Sequence, residues 1–326
     1  MERINYSVII RTTGKAGEKY QKLLGSIDRL IPKPEEIIVV LPENYPLPSE
    51  RLGWETFYFA PKGMVSQRLL GIQKCHTQYA FICDDDLTFC EDFVAKLYKP
   101  LQLGLGAISV GPLYSLLPPK GANALACTVM ASSVPTIFHK RDRYISVLRS
   151  SGYSYNRQLA PDTYYETQSA PWACFFADTE KLKYIKLEDE VWLDANGYAA
   201  LDDQTMFFKA WLKGIKTIVV PDAHYEHLDA KTSTQKCNSS VLYTSQYNRL
   251  VFWHRFIYRQ KTIKALSIIC YAYRTMCEAI YSLLNLVRRR LSLDDCRIML
   301  QGWRNGLAYI HSAEYAALPE ITEEET

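Results

Sequence analysis

Over its first 112 residues the chain alternates short apolar runs with segments of helical period, and few architectures accept that alternation. Residues 8–10, Val-Ile-Ile, read as a strand, and residues 18–30 place Tyr20, Leu23, Leu24 and Ile27 on one helical face. Residues 36–41 form a second apolar run, residues 54–59 a third, residues 66–75 a helix, and Phe81-Ile82 a further strand. Strands separated by helices pair in parallel, so the pattern predicts an α/β fold with a doubly wound, mostly parallel central sheet.

Asp84-Asp85-Asp86 directly follows the apolar run Tyr79-Ala80-Phe81-Ile82-Cys83. Three acids thus fall at the carboxyl end of roughly the fourth strand, the edge at which open α/β sheets bind their ligands. Crowded carboxylates repel one another and are costly there unless a cation or hydrogen-bond donors neutralise them. A divalent metal carrying a phosphorylated ligand meets that need, because Mg²⁺ takes one or two carboxylates together with phosphate oxygens. The plain alternative is a solvated acidic turn.

Downstream, residues 104–112 predict another strand. Residues 113–170 are rich in Pro, Ser, Tyr and Gly with weak periodicity, and read as long loops and short elements over a cleft. Strand character returns at 173–177. A helix is predicted over 202–212, where Met206, Phe207, Ala210 and Trp211 recur at helical spacing, and Gly214 ends it before a last strand at 217–221. Asp202 and Asp203 open that helix at the positive end of its dipole, and two adjacent acids exceed what a cap needs. His224 and His227 follow the last strand and offer imidazoles to a metal shell shared with the acids.

The order of these pieces resembles a family 2 glycosyltransferase of the GT-A fold. The resemblance rests on the strand and Thr-rich turn Arg11-Thr12-Thr13, the Asp-x-Asp-like triplet, and the run Trp192-Leu193-Asp194, Tyr198, Asp202-Asp203, Gly214, Pro221-Asp222 and His227; it spans roughly residues 5–230. It implies a metal-dependent, inverting transfer of a sugar from a nucleoside-diphosphate sugar to a hydroxyl of a glycan or lipid-linked saccharide, with Mn²⁺ or Mg²⁺. By that resemblance Asp203 is the catalytic base and Asp202 stands where the family usually carries Glu, on the acceptor side. Asp86 and His227 correspond to metal ligands, His224 lying off the pattern with a structural role. Arg11, Thr12, Arg68, Asp84 and Asp85 fall against the nucleotide. The family's base-binding acid after the second strand is replaced here by Leu41-Pro42-Glu43, so Glu43 is the substitute. Trp172 is read as part of an acceptor wall, since aromatic faces suit sugar rings, with core packing as its ordinary alternative. The same stretch Ile82-Cys83-Asp84-Asp85-Asp86-Leu87-Thr88 also satisfies the nucleophile signature of haloacid-dehalogenase-like phosphatases, with Asp84 as nucleophile. An inactive GT-A binding module is a third reading.

A chain of 326 residues suffices for one large α/β domain with an appendage. The predicted division is a catalytic domain over 1–248, with a nucleotide-sugar half at 1–112 and an acceptor half at 113–248. A basic helical extension follows at 249–318, then an acidic flexible tail at 319–326. A net charge of +3 gives no ground for nucleic-acid binding. Nine scattered cysteines, without a Cys-x-x-Cys pair, fit reduced thiols. With no signal-peptide core before the first strand, they predict a cytoplasmic protein.

In the extension, Ser267, Tyr271, Arg274, Glu278, Ser282, Asn285 and Arg289 form one narrow polar stripe on an otherwise apolar helix. Arg255, Arg259, Lys261 and Lys264 precede it, and Arg288-Arg289-Arg290 follow it. Arg and Glu near its centre make a membrane span costly. The pattern predicts either a helix against anionic lipid at the inner face of a membrane or one packed on the domain or in a homo-oligomer interface.

Overall fold

The computed structural model describes residues 3–118, 121–136, 142–228 and 239–322. Strand β1 (Tyr6–Arg11), helix α1 (Glu18–Arg29), β2 (Glu36–Pro42), β3 (Glu55–Ala60), α2 (Met64–Lys74) and β4 (Tyr79–Asp84) realise the alternation read from the sequence. After them come β5 (Leu87–Phe89), α3 (Phe93–Gln102) and β6 (Ile108–Val110). The irregular stretch holds α4 (Ala122–Val129) and four three-residue strands: β7 (Ser133–Pro135), β8 (Ile145–Val147), β9 (Tyr153–Tyr155) and β10 (Tyr165–Thr167). Then β11 (Cys174–Asp178), α5 (Thr179–Tyr184), α6 (Asp202–Leu212), β12 (Thr217–Val219) and β13 (Tyr225–His227) complete the sheets. The C-terminal part consists of α7 (Ser239–Phe252), a π-helical turn at Trp253–Tyr258, α8 (Lys264–Val287), α9 (Leu293–Ile310) and α10 (Ala313–Ala316).

Eight strands form one mixed, mostly parallel sheet in the order β10-β12-β6-β11-β4-β1-β2-β3. The parallel pairs β4-β1, β1-β2 and β2-β3 bring the carboxyl ends of these strands to a common edge. On the other side of β4 the sheet changes sense, because β11 runs antiparallel to both β4 and β6. The side chains alternate between two cores, as the two-residue period of a strand requires. Val8 and Ile10, Val39 and Leu41, and Phe81 and Cys83 pack with α1 and α3, whereas Ile9, Ile38, Val40, Ala80 and Ile82 face α2 and α6. Burial on both faces explains why these strands read as unbroken apolar runs. The last strand is not 217–221: the short β13 follows it and pairs with β5, so the chain returns to the acidic edge.

The helical C-terminal part shares the core on the α2 face. Leu250, Val251, Phe252, Trp253, Phe256 and Ile310 belong to it, and the expected boundary at residue 248 falls inside α7. Helix α9 lies against α7 through Gly302 and Gly306; a Cβ at Gly302 would stand 2.3 Å from the Tyr243 carbonyl oxygen, so only glycine permits this approach. A buried ion cluster closes the junction. The Glu190 carboxylate, wholly buried, accepts from Arg255 Nε at 2.6 Å and from Trp192 Nε1 at 2.9 Å, and pairs with Lys209 Nζ at 2.8 Å. Burial alone would raise the Glu190 pKa, but Arg255 and Lys209 override it and hold the carboxyl below its ordinary range.

The polar stripe of α8 is the face packed on the protein. Ser267, Tyr271, Arg274 and Asn285 are its buried residues. Arg149 donates to Ser267 Oγ, Arg274 pairs with Glu278 at 3.0 Å, and Tyr271 stacks on Trp253 with ring centroids 4.4 Å apart. Of the acidic tail, residues 323–326 lie outside the described residues. Among the described residues no helix is long and apolar enough to cross a membrane.

Replacing Glu190 by Ala leaves Lys209 and Arg255 buried without their shared carboxylate, which typically costs about 3–5 kcal/mol. The expected result is a lower urea midpoint and an earlier thermal transition that includes the C-terminal helices.

Candidate active site

Strands β1 and β4 run side by side and pair Arg11 with Asp84, so the first strand's turn and the acidic triplet meet at the carboxyl edge. Arg11 Nε donates to Asp84 Oδ1 at 3.1 Å. Thr12 Oγ1 donates to Asp85 Oδ2 at 2.5 Å and accepts from the Gly14 backbone N–H, which fixes the turn against the triplet. Gln67 secures the same turn from below, donating through Nε2 to the Thr12 and Val40 carbonyls.

Arg68 is the centre of this arrangement. Its Nη1 donates to Asp202 Oδ2 at 2.8 Å, and its Nη2 reaches Asp84 Oδ1 at 2.9 Å and Oδ2 at 3.2 Å. Its side chain is only 3% exposed. It is therefore an interior cation and not a surface one. One guanidinium joins the acids after β4 to those opening α6, two clusters more than a hundred residues apart in sequence. The Trp172 ring lies under the guanidinium at 4.6 Å, in cation–π contact. Trp172, expected at an acceptor wall, is 2% exposed: its ring supports Arg68 and has little surface left to offer a ligand.

Helix α2, which carries Arg68, is held at its start by Asp194. The Asp194 carboxylate accepts from the Ser66 N–H at 2.9 Å and the Val65 N–H at 3.1 Å, satisfying donors a helix leaves open. Sequence reasoning placed Asp194 only within a motif. Its spacing from α2 gave no sign of this contact, as 128 residues separate it from Ser66.

Four of the carboxyls differ sharply in electrostatics. Burial pushes Asp84 up, yet Arg11 and Arg68 outweigh it, and Asp84 stays below the usual carboxylate range. Asp85 is pushed up to about 6 by burial, which its Thr12 hydrogen bond only partly offsets. Burial also raises Asp202, against the pull of Arg68. Asp203 rises to about 7, through desolvation first and the neighbouring Asp202 second. Asp203 is half-buried and keeps part of its surface open, so solvent tempers this shift. A carboxyl poised near neutrality, with an accessible face, is suited to accept a proton.

Asp86 takes a different position. Its Oδ1 lies 3.4 Å from His227 Nε2, and the Leu228 N–H donates to its carbonyl, because β13 pairs with β5 directly after the triplet. The pair His227–Asp86 is thus brought together by a strand the sequence did not reveal. One carboxylate and one imidazole suit a divalent cation that takes its remaining ligands from phosphate and water. Among the described residues no group of three or more His, Cys, Asp or Glu forms a complete ligand set. Glu43 is exposed at the end of β2, its N–H bonded to the Ala60 carbonyl. His224 is exposed. Asp84, with both oxygens held by guanidinium groups, is poorly placed to attack a phosphate as a nucleophile.

Beside β9 a cavity of about 690 Å³ is lined by Tyr114, Ala124, Tyr155, Asn156, Arg157 and Gln158, among others. Burial raises the pKa of Tyr153, at the other end of β9, and the nearby Asp203 carboxylate adds a smaller push in the same direction.

No protein-family model matches the chain, and no curated protein sequence matches it. Solved structures do. Residues 1–349 of TarS from S. aureus, in complex with UDP-GlcNAc, match with a TM-score of 0.52 and 13% identity over 97% of this chain and 82% of that one. A second structure of the same TarS fragment gives 0.51 and 12% identity, over 97% and 81%. GalNAc-T7 with UDP, GalNAc and Mn²⁺ gives 0.53 and 14% identity, over 84% of this chain and 54% of that one. At these identities the likeness establishes the fold, which is the GT-A fold of glycosyltransferases.

Substitution of Arg68 by Ala leaves Asp202 without its cation and Asp84 with Arg11 alone, at a typical cost of about 3–5 kcal/mol. Asp84 has a depressed pKa, so its contribution is present above the unfolded-state value near 3.9 and lost as pH falls through the folded value. Denaturation curves between pH 3 and 7 should show the Arg68→Ala deficit shrinking at the acid end.

Proposed function

We propose that the chain is a metal-dependent, inverting glycosyltransferase of family 2 type. It would transfer a sugar from a nucleoside-diphosphate sugar to a hydroxyl of a glycan or lipid-linked saccharide. The observation that carries this reading is that Arg68 joins Asp84 at the β4 edge to Asp202, whose neighbour Asp203 is held near neutrality. It agrees with a fold shared with proteins crystallised with UDP-GlcNAc and with UDP and Mn²⁺.

In this reading Arg11 and Thr12 border the nucleotide, with Asp84 and Asp85 beneath it and Glu43 at the base. Asp84 serves mainly to hold Arg11 and Arg68 in place. Asp86 and His227 would hold Mn²⁺ or Mg²⁺. Such a cation, when bound, offsets the charge that builds on the departing diphosphate. Asp203 accepts the proton of the acceptor hydroxyl as that oxygen bonds to the anomeric carbon and the bond from that carbon to the phosphate oxygen breaks, the electron pair leaving with the diphosphate. Asp202, fixed by Arg68, lies next to Asp203 and raises its basicity by like-charge repulsion. The acceptor half, including the cavity beside β9, would receive the saccharide.

Asp203→Asn should lower turnover by about 10²–10⁴-fold or more, while donor binding stays within a few-fold of the parent. Near-normal turnover in that variant would remove Asp203 from the role. Because the base must be ionised, kcat/KM should climb with pH through about 7 and level off above it, whereas the residual rate of Asp203→Asn should show no such limb.

Thermal unfolding with UDP, GDP, dTDP and ADP, each with and without Mn²⁺, identifies the donor class. A ligand at 100 times its dissociation constant stabilises by about 2.7 kcal/mol. One nucleotide should act strongly only with the metal, and Asp86→Ala should erase that metal-dependent increment. A response to none of the four would refute the nucleotide-sugar reading.

A further inference from the structure

Helix α8 is amphipathic in the reverse sense to an ordinary surface helix. Its polar stripe is buried against the domain, and its apolar side is bare. Ile269, Met276 and Leu283 are 64%, 54% and 60% exposed, and Tyr273, Ile280 and Val287 are 44%, 52% and 75% exposed. At 24 residues the helix is about 36 Å long. Contiguous apolar surface on this scale marks an interaction site.

Two features decide what covers it. The first is charge. Lys261 and Lys264 stand at one end and Arg288, Arg289 and Arg290 at the other, and among the described residues none of the five has an acidic partner within ion-pair distance. The six residues above fall in two rows spaced by seven, a seam that could also suit a second copy of the chain. Pairing α8 with its own copy, however, places cation against cation at both ends, whether the two run parallel or antiparallel. The second feature is width. Ile268 and Tyr281, 48% and 42% exposed, extend the apolar arc well past the narrow strip a coiled coil uses. A broad apolar face between basic ends is complementary to an anionic lipid surface.

The seat extends beyond α8. Tyr273 Oη donates to the Val129 carbonyl at 2.8 Å, which fixes α4 beside it. None of the α4 residues is buried: Leu125 and Val129 are 66% and 54% exposed, whereas Ala124 lines the cavity beside β9. One short helix thus contributes both to the apolar surface and to the wall of the cavity. We propose that the outer faces of α8 and α4 seat the folded protein on an anionic membrane surface. Resting on the glycosyltransferase reading, this makes a lipid-linked saccharide, presented from that surface, the acceptor class.

The test is cosedimentation of the full-length protein with sucrose-loaded vesicles of phosphatidylcholine alone or with 30% phosphatidylglycerol. Binding should be at least tenfold stronger to the anionic vesicles and should weaken on raising NaCl from 50 to 500 mM, since exposed charges are screened. The double variant Ile269→Asp/Ile280→Asp should lose at least tenfold in vesicle affinity while keeping the thermal transition of the parent. Arg288→Glu/Arg289→Glu/Arg290→Glu should lose the preference for anionic lipid, each cation near such a surface being worth about fivefold. Failure of the parent to sediment with anionic vesicles would overturn the proposal. So would a stable oligomer by light scattering that the Ile269→Asp/Ile280→Asp variant splits into monomers. The vesicle readout needs no nucleotide, so its failure is distinguishable from a failure of donor binding.

Discussion

The site depends on a single buried guanidinium. Five carboxyls converge on the carboxyl edge of the sheet, and their mutual repulsion would force the β4 and α6 clusters apart without a cation between them. Arg68 spans that gap because a guanidinium presents donors in two directions from one rigid plane; the single ammonium of a lysine could not satisfy both partners at the same lengths. Its own burial is tolerated because acids engage its two terminal nitrogens and an aromatic ring lies against its face. The remaining supports act at one remove: Gln67 ties α2 to the β1 turn, and Asp194 caps α2 from the loop before α6. The acidic edge and the α6 acids are therefore held in one frame before any ligand arrives.

Much of the fold was legible because the sheet is buried on both faces. Continuous apolar runs in β1, β2 and β4 have no other economical interpretation, and the acidic triplet marked the end of one of them. Legibility failed where elements are too short to show a period. The three-residue strands between residues 133 and 167 carry no alternation to detect, and β13, which brings His227 to Asp86, is equally brief. Arg68 and Trp172 illustrate a different limit. A cation in a helix usually faces solvent, and a tryptophan near a cleft invites a ligand-binding role. Only the tertiary arrangement shows that each is the other's partner.

The C-terminal helices are bound to the sheet domain by two mechanisms of different kinds. Apolar residues of α7 and the π-helical turn extend the core on the α2 face, giving bulk without direction. The Glu190 cluster adds direction, because Arg255, Lys209 and Trp192 fit one carboxylate in one geometry. Close contact of α9 with α7, permitted by Gly302, then shapes the surface on which the later chain rests.

Helix α8 also reverses a habit of thought about mutational tolerance. Over these 24 residues the rule that apolar positions are protected and polar ones are free takes the opposite sign. Ser267 and Arg274 behave as interior residues whose loss would leave partners unsatisfied, whereas the isoleucines and leucines opposite them contribute little to holding the chain folded. Variation at those outer positions would be restrained by what the surface meets and hardly at all by the fold. A comparison of homologous chains in which the outer face of α8 stayed apolar while surrounding surface drifted would therefore record an interaction, since stability alone gives it no reason to persist.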